Sequence, residues 1–227
     1  MAVRLKIDFV SDVSCPWCVI GLRNLEAALD AIGDEIDATV RFNPFELNPD
    51  MPVEGVDRAE YFASKYRMPA EEAKARSDEI KARAEGTGFA MNAGPGFRVY
   101  NTFDAHRLLE WAVDEGRQRP LKHALFQAYF TDCRNIGDHE TLADIAASVG
   151  LDRAKAMEVL TSGSYAGHVR AEQRHNRDRG IQSVPTIIIN DIYVINGGQP
   201  APTFEKALRH IAGEMSKPVS PLSAVPA

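Results

Sequence analysis

The sequence predicts an α/β fold whose single sheet is assembled from both ends of the chain, with a large all-helical insertion between the second and third strands. Three observations predict it. A short apolar strand run, a helical run and a second strand run fill the first fifty residues. About 120 residues of helical periodicity follow, from 57 to 176. Two further strand runs and one more helix then close the pattern, so neither end completes a sheet alone.

Residues 4–10, rich in Leu, Ile, Phe and Val, alternate loosely and read as the first strand. Asp8 on this strand is expected to be solvated. Leu22, Leu25, Leu29 and Ile32 recur at helical spacing and end near Gly33. Residues 38–42 read as a second strand, after which Pro44, Pro49 and Pro52 break regularity. In the helical segment, Ala105, Leu108, Leu109 and Ala112 share a face, as do Leu121, Ala124, Leu125 and Ala128, and Leu142, Ile145, Ala146 and Val149. Three such stripes predict helices packed on one another. The stretch 69–85, dense in Glu, Lys, Arg and Ala, reads as a solvated helix, and Asn92 to Gly96 as a loop. Thr186–Ile189 and Ile192–Ile195, separated by Asn190-Asp191, predict a hairpin. Phe204, Ala207, Leu208 and Ile211 predict a last helix. The expected domains are therefore 1–50 with 177–215, a helical domain 51–176, and a loose proline-bearing tail 216–227.

The formal net charge of −6 and the lack of a basic stripe argue against a nucleic-acid partner. The longest apolar runs, such as Ile187-Ile188-Ile189, are far too short to cross a bilayer. Charges at Arg4, Lys6 and Asp8 interrupt any signal-like run, which gives a cytoplasmic expectation. Three cysteines in a reducing compartment do not suggest a structural disulfide framework.

Two of those cysteines, Cys15 and Cys18, stand three apart at the junction of the first strand and first helix, in Cys15-Pro16-Trp17-Cys18. Free N–H groups and the helix macrodipole favour negative charge at that position. The Cys15 thiol is therefore expected to ionise more easily than a free cysteine and to act as the exposed nucleophile. Cys18 is within reach of the Cys15 sulfur and is expected to resolve a mixed disulfide on it. Pro16 suits the first helical turn, where its missing N–H has no partner to lose, and Trp17 is expected to shape the local surface. The competing half-zinc-site reading needs a second ligand pair, and Cys133 with His139 has unconvincing spacing, so no metal is assigned. The exchange chemistry itself calls for no cofactor.

The segment Asp12-Val13-Ser14-Cys15-Pro16-Trp17-Cys18-Val19-Ile20-Gly21 resembles the active-site segment of the DsbA family, and more closely its cytoplasmic FrnE-like branch. The likeness continues in Phe45-Glu46-Leu47-Asn48-Pro49, Asn101-Thr102-Phe103-Asp104-Ala105-His106-Arg107, Ser183-Val184-Pro185-Thr186 and Gly197-Gly198-Gln199-Pro200. It implies a thioredoxin fold with an inserted helical domain and dithiol–disulfide exchange. The implied partners are protein thiols and disulfides, with glutathione or a recycling reductase as further partners. In proteins of this fold the proline matching Pro185 is cis and faces the cysteine pair, leaving the backbone of Val184 free to meet an extended substrate.

Asp12 is open to two readings, a buried proton acceptor beneath the cysteines or a turn carboxylate near the helix start. His106 reads as structural before it reads as a cleft residue, Cys133 as a bystander, and Gln199 and Pro200 as a helix cap. The same superfamily branch resembles 2-hydroxychromene-2-carboxylate isomerases and kappa-class glutathione transferases. Those enzymes typically carry serine at the nucleophile position and lack the second cysteine, so the leading expectation here is a disulfide oxidoreductase, with glutathione-dependent isomerisation second.

Overall fold

The computed structural model describes residues 2–52, 54–92, 94 and 96–215. Strands β1 (Val3–Ser11) and β2 (Ile36–Pro44) run parallel, with Ile7 opposite Val40 and Phe9 opposite Phe42. Helix α1 (Pro16–Ile32) makes the crossover between them. The remainder of the sheet comes from the other end of the chain. β5 (Thr186–Ile189) lies antiparallel to β1, and β6 (Tyr193–Asn196) lies antiparallel to β5, giving the order β2-β1-β5-β6. A βαβ unit joined to a ββα unit in one four-stranded sheet is the thioredoxin fold.

β1 sits at the centre of this sheet, and every residue from Ile7 to Ser11 is buried. A central strand covered on both faces loses its alternation, which is why the pattern is clean only at the start. The expectation that Asp8 is solvated is corrected on the same ground. Asp8 is buried, and it keeps its charge company with Lys6, whose Nζ lies 3.0 Å away. Asn190 and Asp191 turn the β5–β6 hairpin with φ of 51° and 61°, a left-handed pair that Asn and Asp tolerate better than most residues. Helix α9 (Ala201–Met215) returns across the sheet to pack on α1, seating Phe204 and Leu208 in the core.

Between β2 and β5 lie α2 (Arg58–Tyr66), α3 (Ala70–Glu85), α4 (Phe103–Asp114), α5 (Gln118–Phe126), α6 (His139–Ser148), α7 (Arg153–Ser162) and α8 (Ala166–Asp178). The insertion is not wholly helical. β3 (Val56–Asp57) and β4 (Arg98–Val99) pair antiparallel within it. Strands of two residues are too short to display a period, so the sequence pattern cannot reveal them. Of the apolar stripes, Ala105, Leu108, Leu109, Ala112, Leu121, Leu125, Leu142, Ile145 and Ala146 are buried in one continuous core with the sheet. α3 is mostly exposed, as its composition predicts, and touches the core through Ile80 and Ala84. Among the contacts that tie the insertion to the edge strand β2, the Gln118 side chain accepts from the Phe42 N–H (3.0 Å) and donates to the Phe42 carbonyl (2.9 Å). It occupies the backbone groups that an edge strand would otherwise leave open. The expected tail, 216–227, lies outside the described residues.

Candidate functional site

β1 delivers the chain to the turn Asp12–Ser14, and α1 begins at once. Cys15 is the N-cap residue, with extended backbone (φ −92°, ψ 114°), and Pro16 opens the first turn. No side chain caps this helix end, so its N–H groups and positive dipole end are directed at the cysteine pair. Cys18 follows in the same turn, its N–H donating to the Cys15 carbonyl at 3.1 Å. Both thiols are free.

The expected exposure of Cys15 is corrected. The residue is 3% exposed, because the backbone before β5 closes over it. The Val184–Pro185 peptide bond is cis, and the Cys15 thiol donates to the Val184 carbonyl at 3.6 Å. This roof is held tightly from behind. A Cβ on Gly21 would stand 3.0 Å from Pro185 Cγ, and one on Gly198 would stand 2.8 Å from the Trp17 carbonyl oxygen. The close approach of α1 to the turn before α9 thus requires glycine at 198, and a side chain at 21 would press on both Pro185 and Gly198. Gln199 does not cap α9. Its amide donates to the Asn196 carbonyl at 2.8 Å, and it is the Pro200 carbonyl that accepts from Phe204 N–H to begin the helix. Trp17 is half-buried, with the Arg83 guanidinium 5.5 Å from its ring.

Cys18 is fully buried. Burial pushes its thiol well above the ordinary range, the adjacent Cys15 sulfur adds to the rise, and the charge of Lys122 works against it. Three buried polar side chains, Asp12, His106 and Lys122, belong to the surrounding core. Asp12 is completely buried and accepts from the N–H groups of Leu47 (2.7 Å) and Ser14 (3.2 Å). Burial would raise its carboxyl, but the hydrogen bond and charge of His106, with those from Leu47 and Thr102, hold it below the ordinary value, so it stays ionised. His106 Nε2 lies 3.1 Å from the Phe45 carbonyl and 3.6 Å from Asp12 Oδ1. Both partners are acceptors, so Nε2 carries the proton. The cation is Lys122 of α5, fully buried, with the rings of Phe126 and Phe42 4.7 and 5.9 Å from its Nζ.

The structure therefore brings together Cys15, Cys18, Pro16, Asp12, Val184 and Pro185, and adds His106 from the insertion. Lys122 was missed in the sequence. Its signal was there: Leu125, Phe126 and Tyr129 follow it at i+3, i+4 and i+7, so a lysine occupies a core position of an apolar stripe.

A cleft enclosing about 140 Å³ opens beside Ser14 and Pro16, lined by Leu47, Tyr61, Phe62, Phe97 and Tyr129. Arg58 stands in it against the Phe62 and Phe97 rings, at 5.2 and 5.8 Å, and donates to Ser77 Oγ at 2.8 Å. Burial lowers its guanidinium below the ordinary value. Cys133, by contrast, is exposed and remote in character, donating to the Asn92 carbonyl at 3.6 Å. Its suggested zinc partner His139 is engaged with Asp104 Oδ2 at 2.7 Å, and no cluster of three or more His, Cys, Asp or Glu is placed to hold a metal among the described residues. Among the described residues no contact links Cys133 to the pair, so replacing it by alanine is expected to leave the reactivity of the pair towards 5,5′-dithiobis(2-nitrobenzoate) within about twofold of the wild type. A loss above about tenfold with intact folding would reveal a second redox centre.

A dithiol at a helix N-terminus, roofed by a cis-proline loop on this sheet, defines a thioredoxin-fold protein of the thiol oxidoreductase class. The model for the DSBA-like thioredoxin domain matches residues 6–209, and the chain belongs to that family. It is 30% identical over 210 residues to the protein YwbO of Bacillus subtilis (strain 168), covering 92% of this chain and 96% of that one. The crystal structure of a probable DsbA oxidoreductase from Streptomyces coelicolor superposes with a TM-score of 0.88 at 31% identity, covering 98% of this chain and all of the other. The cytosolic disulfide reductase DsbM from Pseudomonas aeruginosa, solved with GSH, shares the fold at 19% identity (TM-score 0.62; 91% of this chain, 98% of that one). A 2-hydroxychromene-2-carboxylate isomerase does so at 15% identity (TM-score 0.64; 93% of this chain, all of the other). No described helix is long and apolar enough to cross a membrane.

Proposed function

We propose that the protein is a cytoplasmic protein disulfide oxidoreductase working through Cys15 and Cys18. The observation that carries this reading is the pair of free thiols in the first turn of α1, with Cys15 hydrogen-bonded to the Val184 carbonyl before cis-Pro185. Cys15 attacks one sulfur of a substrate disulfide, forming a mixed disulfide and releasing the first substrate thiol. Cys18 then attacks the Cys15 sulfur, forming the intramolecular disulfide and releasing the second. Two electrons pass from the dithiol to the substrate, and the reverse sequence oxidises a substrate dithiol. When an extended substrate docks, the Val184 carbonyl exchanges its Cys15 contact for a substrate N–H, in the manner of strand addition. Glutathione or a reductase returns the pair to its starting state.

The discontinuous unit 1–50 with 177–215 carries the dithiol in this reading. The helical unit 51–176 supplies His106 and Lys122 of the surrounding core and the wall of the cleft. Glutathione-dependent isomerisation is the second reading, and the cleft favours it: an aromatic-lined space that also holds Arg58 and Lys81, with Asp78, suits a small aromatic carboxylate. Retention of both thiols favours exchange. Assaying the wild-type protein on insulin and, with glutathione, on an aromatic pyruvate-type substrate separates the two. Insulin reduction without isomerase turnover is expected. Isomerase turnover with no insulin reduction would reverse the assignment.

A further inference from the structure

Arg58 stands in the cleft beside the dithiol, and among the described residues no carboxylate pairs with it. It is the first residue of α2, and its backbone N–H donates to the Phe97 carbonyl at 2.9 Å, which pins it to the cleft wall. Of its guanidinium donors only Nη2 is engaged, and the partner is a neutral hydroxyl, that of Ser77 at 2.8 Å. Ser77 spends its own proton on the Ala73 carbonyl, also at 2.8 Å. The Phe62 and Phe97 rings, at 5.2 and 5.8 Å, offset a cation weakly and take none of its N–H groups. Two other charged side chains line the cleft, and each has its own partner along the exposed face of α3: Asp78 with Lys74 at 2.8 Å, and Lys81 with Glu85 at 3.9 Å. A half-buried guanidinium in this setting is costly until an anion meets it.

The position of the cleft says which molecule brings the anion. Ser14 and Pro16, on either side of Cys15, both stand in its wall. A group inside the cleft is therefore a close neighbour of the sulfur that Cys15 attacks, and belongs to the same substrate. The enclosed volume of about 140 Å³ is that of one side chain, since a cavity of about 150 Å³ holds a single benzene. Leu47, Met91, Phe97 and Val99 make the walls apolar. An apolar stem ending in a carboxylate matches this space, and glutamate is the residue built that way. We propose that the cleft is a specificity subsite for a glutamate close to the reacting cysteine of a protein substrate, and that Arg58 binds its carboxylate. This rests on the exchange reading above. The guanidinium presents its remaining N–H groups as a planar fork, which a carboxylate meets with both oxygens.

The test uses the full chain carrying Cys133→Ala and synthetic peptides, each with one cysteine held as a mixed disulfide with 2-thiopyridine. Glutamate, or glutamine as the neutral control, occupies one of the two positions on either side of that cysteine. The Cys15 thiolate bonds to the peptide sulfur, the bond to the thiopyridine breaks, and the leaving group takes up a proton and absorbs as 2-thiopyridone. At one position or more the glutamate peptide is expected to react about tenfold faster than its glutamine twin. The ratio should fall to about one in Arg58→Met, while Arg58→Lys keeps part of it. Each ratio is taken within one protein, so a general loss of activity does not move it, and Arg58→Gln serves should the methionine variant not fold. A ratio near one at every position in the reference protein, or a ratio that survives Arg58→Met, overturns the assignment. So does a rate that depends on Arg58 only for 5,5′-dithiobis(2-nitrobenzoate), against neutral 2,2′-dithiodipyridine, because the cleft then takes a small aromatic acid. If no peptide reacts with the reference protein, the exchange reading itself fails.

Discussion

Cys15→Ser is expected to abolish disulfide exchange, by at least about a thousandfold, while Cys18→Ala is expected to trap the protein on its substrate. The first effect follows from chemistry: a serine hydroxyl is not ionised near neutral pH and does not attack disulfides. The second follows from the position of Cys18, fully buried in the first turn of α1, three residues after Cys15. Without the resolving thiol, the mixed disulfide on Cys15 accumulates. Non-reducing mass spectrometry of Cys18→Ala after incubation with reduced and oxidised glutathione should find the chain with one glutathione attached. Adduct on Cys133 is removed from consideration by the Cys133→Ala background. Retention of full insulin reduction by Cys15→Ser would overturn the site.

Stability is expected to rise with pH in a way that Lys122 explains. Burial, its largest cause, lowers the Lys122 ammonium to about 8 from its ordinary value of 10.5, with Cys18, Asp12 and Cys15 opposing the shift. A lysine whose folded value is depressed leaves the unfolded chain holding more protons, so the free energy of unfolding increases with pH above the folded value. From pH 7 to 9.5 the gain is about 2 kcal/mol. Cys18 works in the opposite sense, since its raised thiol loses stability as the unfolded cysteine ionises. The measurement therefore belongs on the oxidised protein, in which neither thiol titrates. Urea denaturation at both pH values, on wild type and Lys122→Met, isolates the effect because all other titrations cancel. The variant should be as stable as the wild type or more so at pH 7, and the rise should vanish. An equal rise in both proteins would place its origin elsewhere.

Much of this molecule could be read from sequence because its signals are local. Cys15-Pro16-Trp17-Cys18 sits at a strand-to-helix junction that periodicity alone locates, and Val184-Pro185 opens a strand that composition alone finds. What escaped were properties of tertiary contact. Asp8 reads as solvated because a charged residue in a strand is expected on its wet face; the flanking of β1 by both β2 and β5, with the sheet covered, buries it instead. His106 lies ninety-four positions from Asp12 in the chain, and nothing in α4 announces that its ring reaches back to that carboxylate. The paired dipeptides Val56-Asp57 and Arg98-Val99 carry no period at all. Lys122 is the exception, a cation legible in an apolar stripe, but the stripe dominates and the lysine is passed over as an interruption.

The hydrogen bond from Cys15 to Val184 joins residues 169 positions apart. A ribosome making this chain delivers the dithiol long before it delivers the roof. Through most of translation the emerging protein has β1, α1 and β2, with the edge of β1 that will take β5 unpaired and both sulfurs uncovered. The reactive centre is thus complete as chemistry well before it is complete as a selective site. A chain cut short anywhere ahead of β5 keeps the two cysteines but has neither the proline loop nor Gly198 to enclose them, and its thiols meet whatever disulfide the cell presents. Closing so long a loop also slows completion of the sheet relative to the local helices.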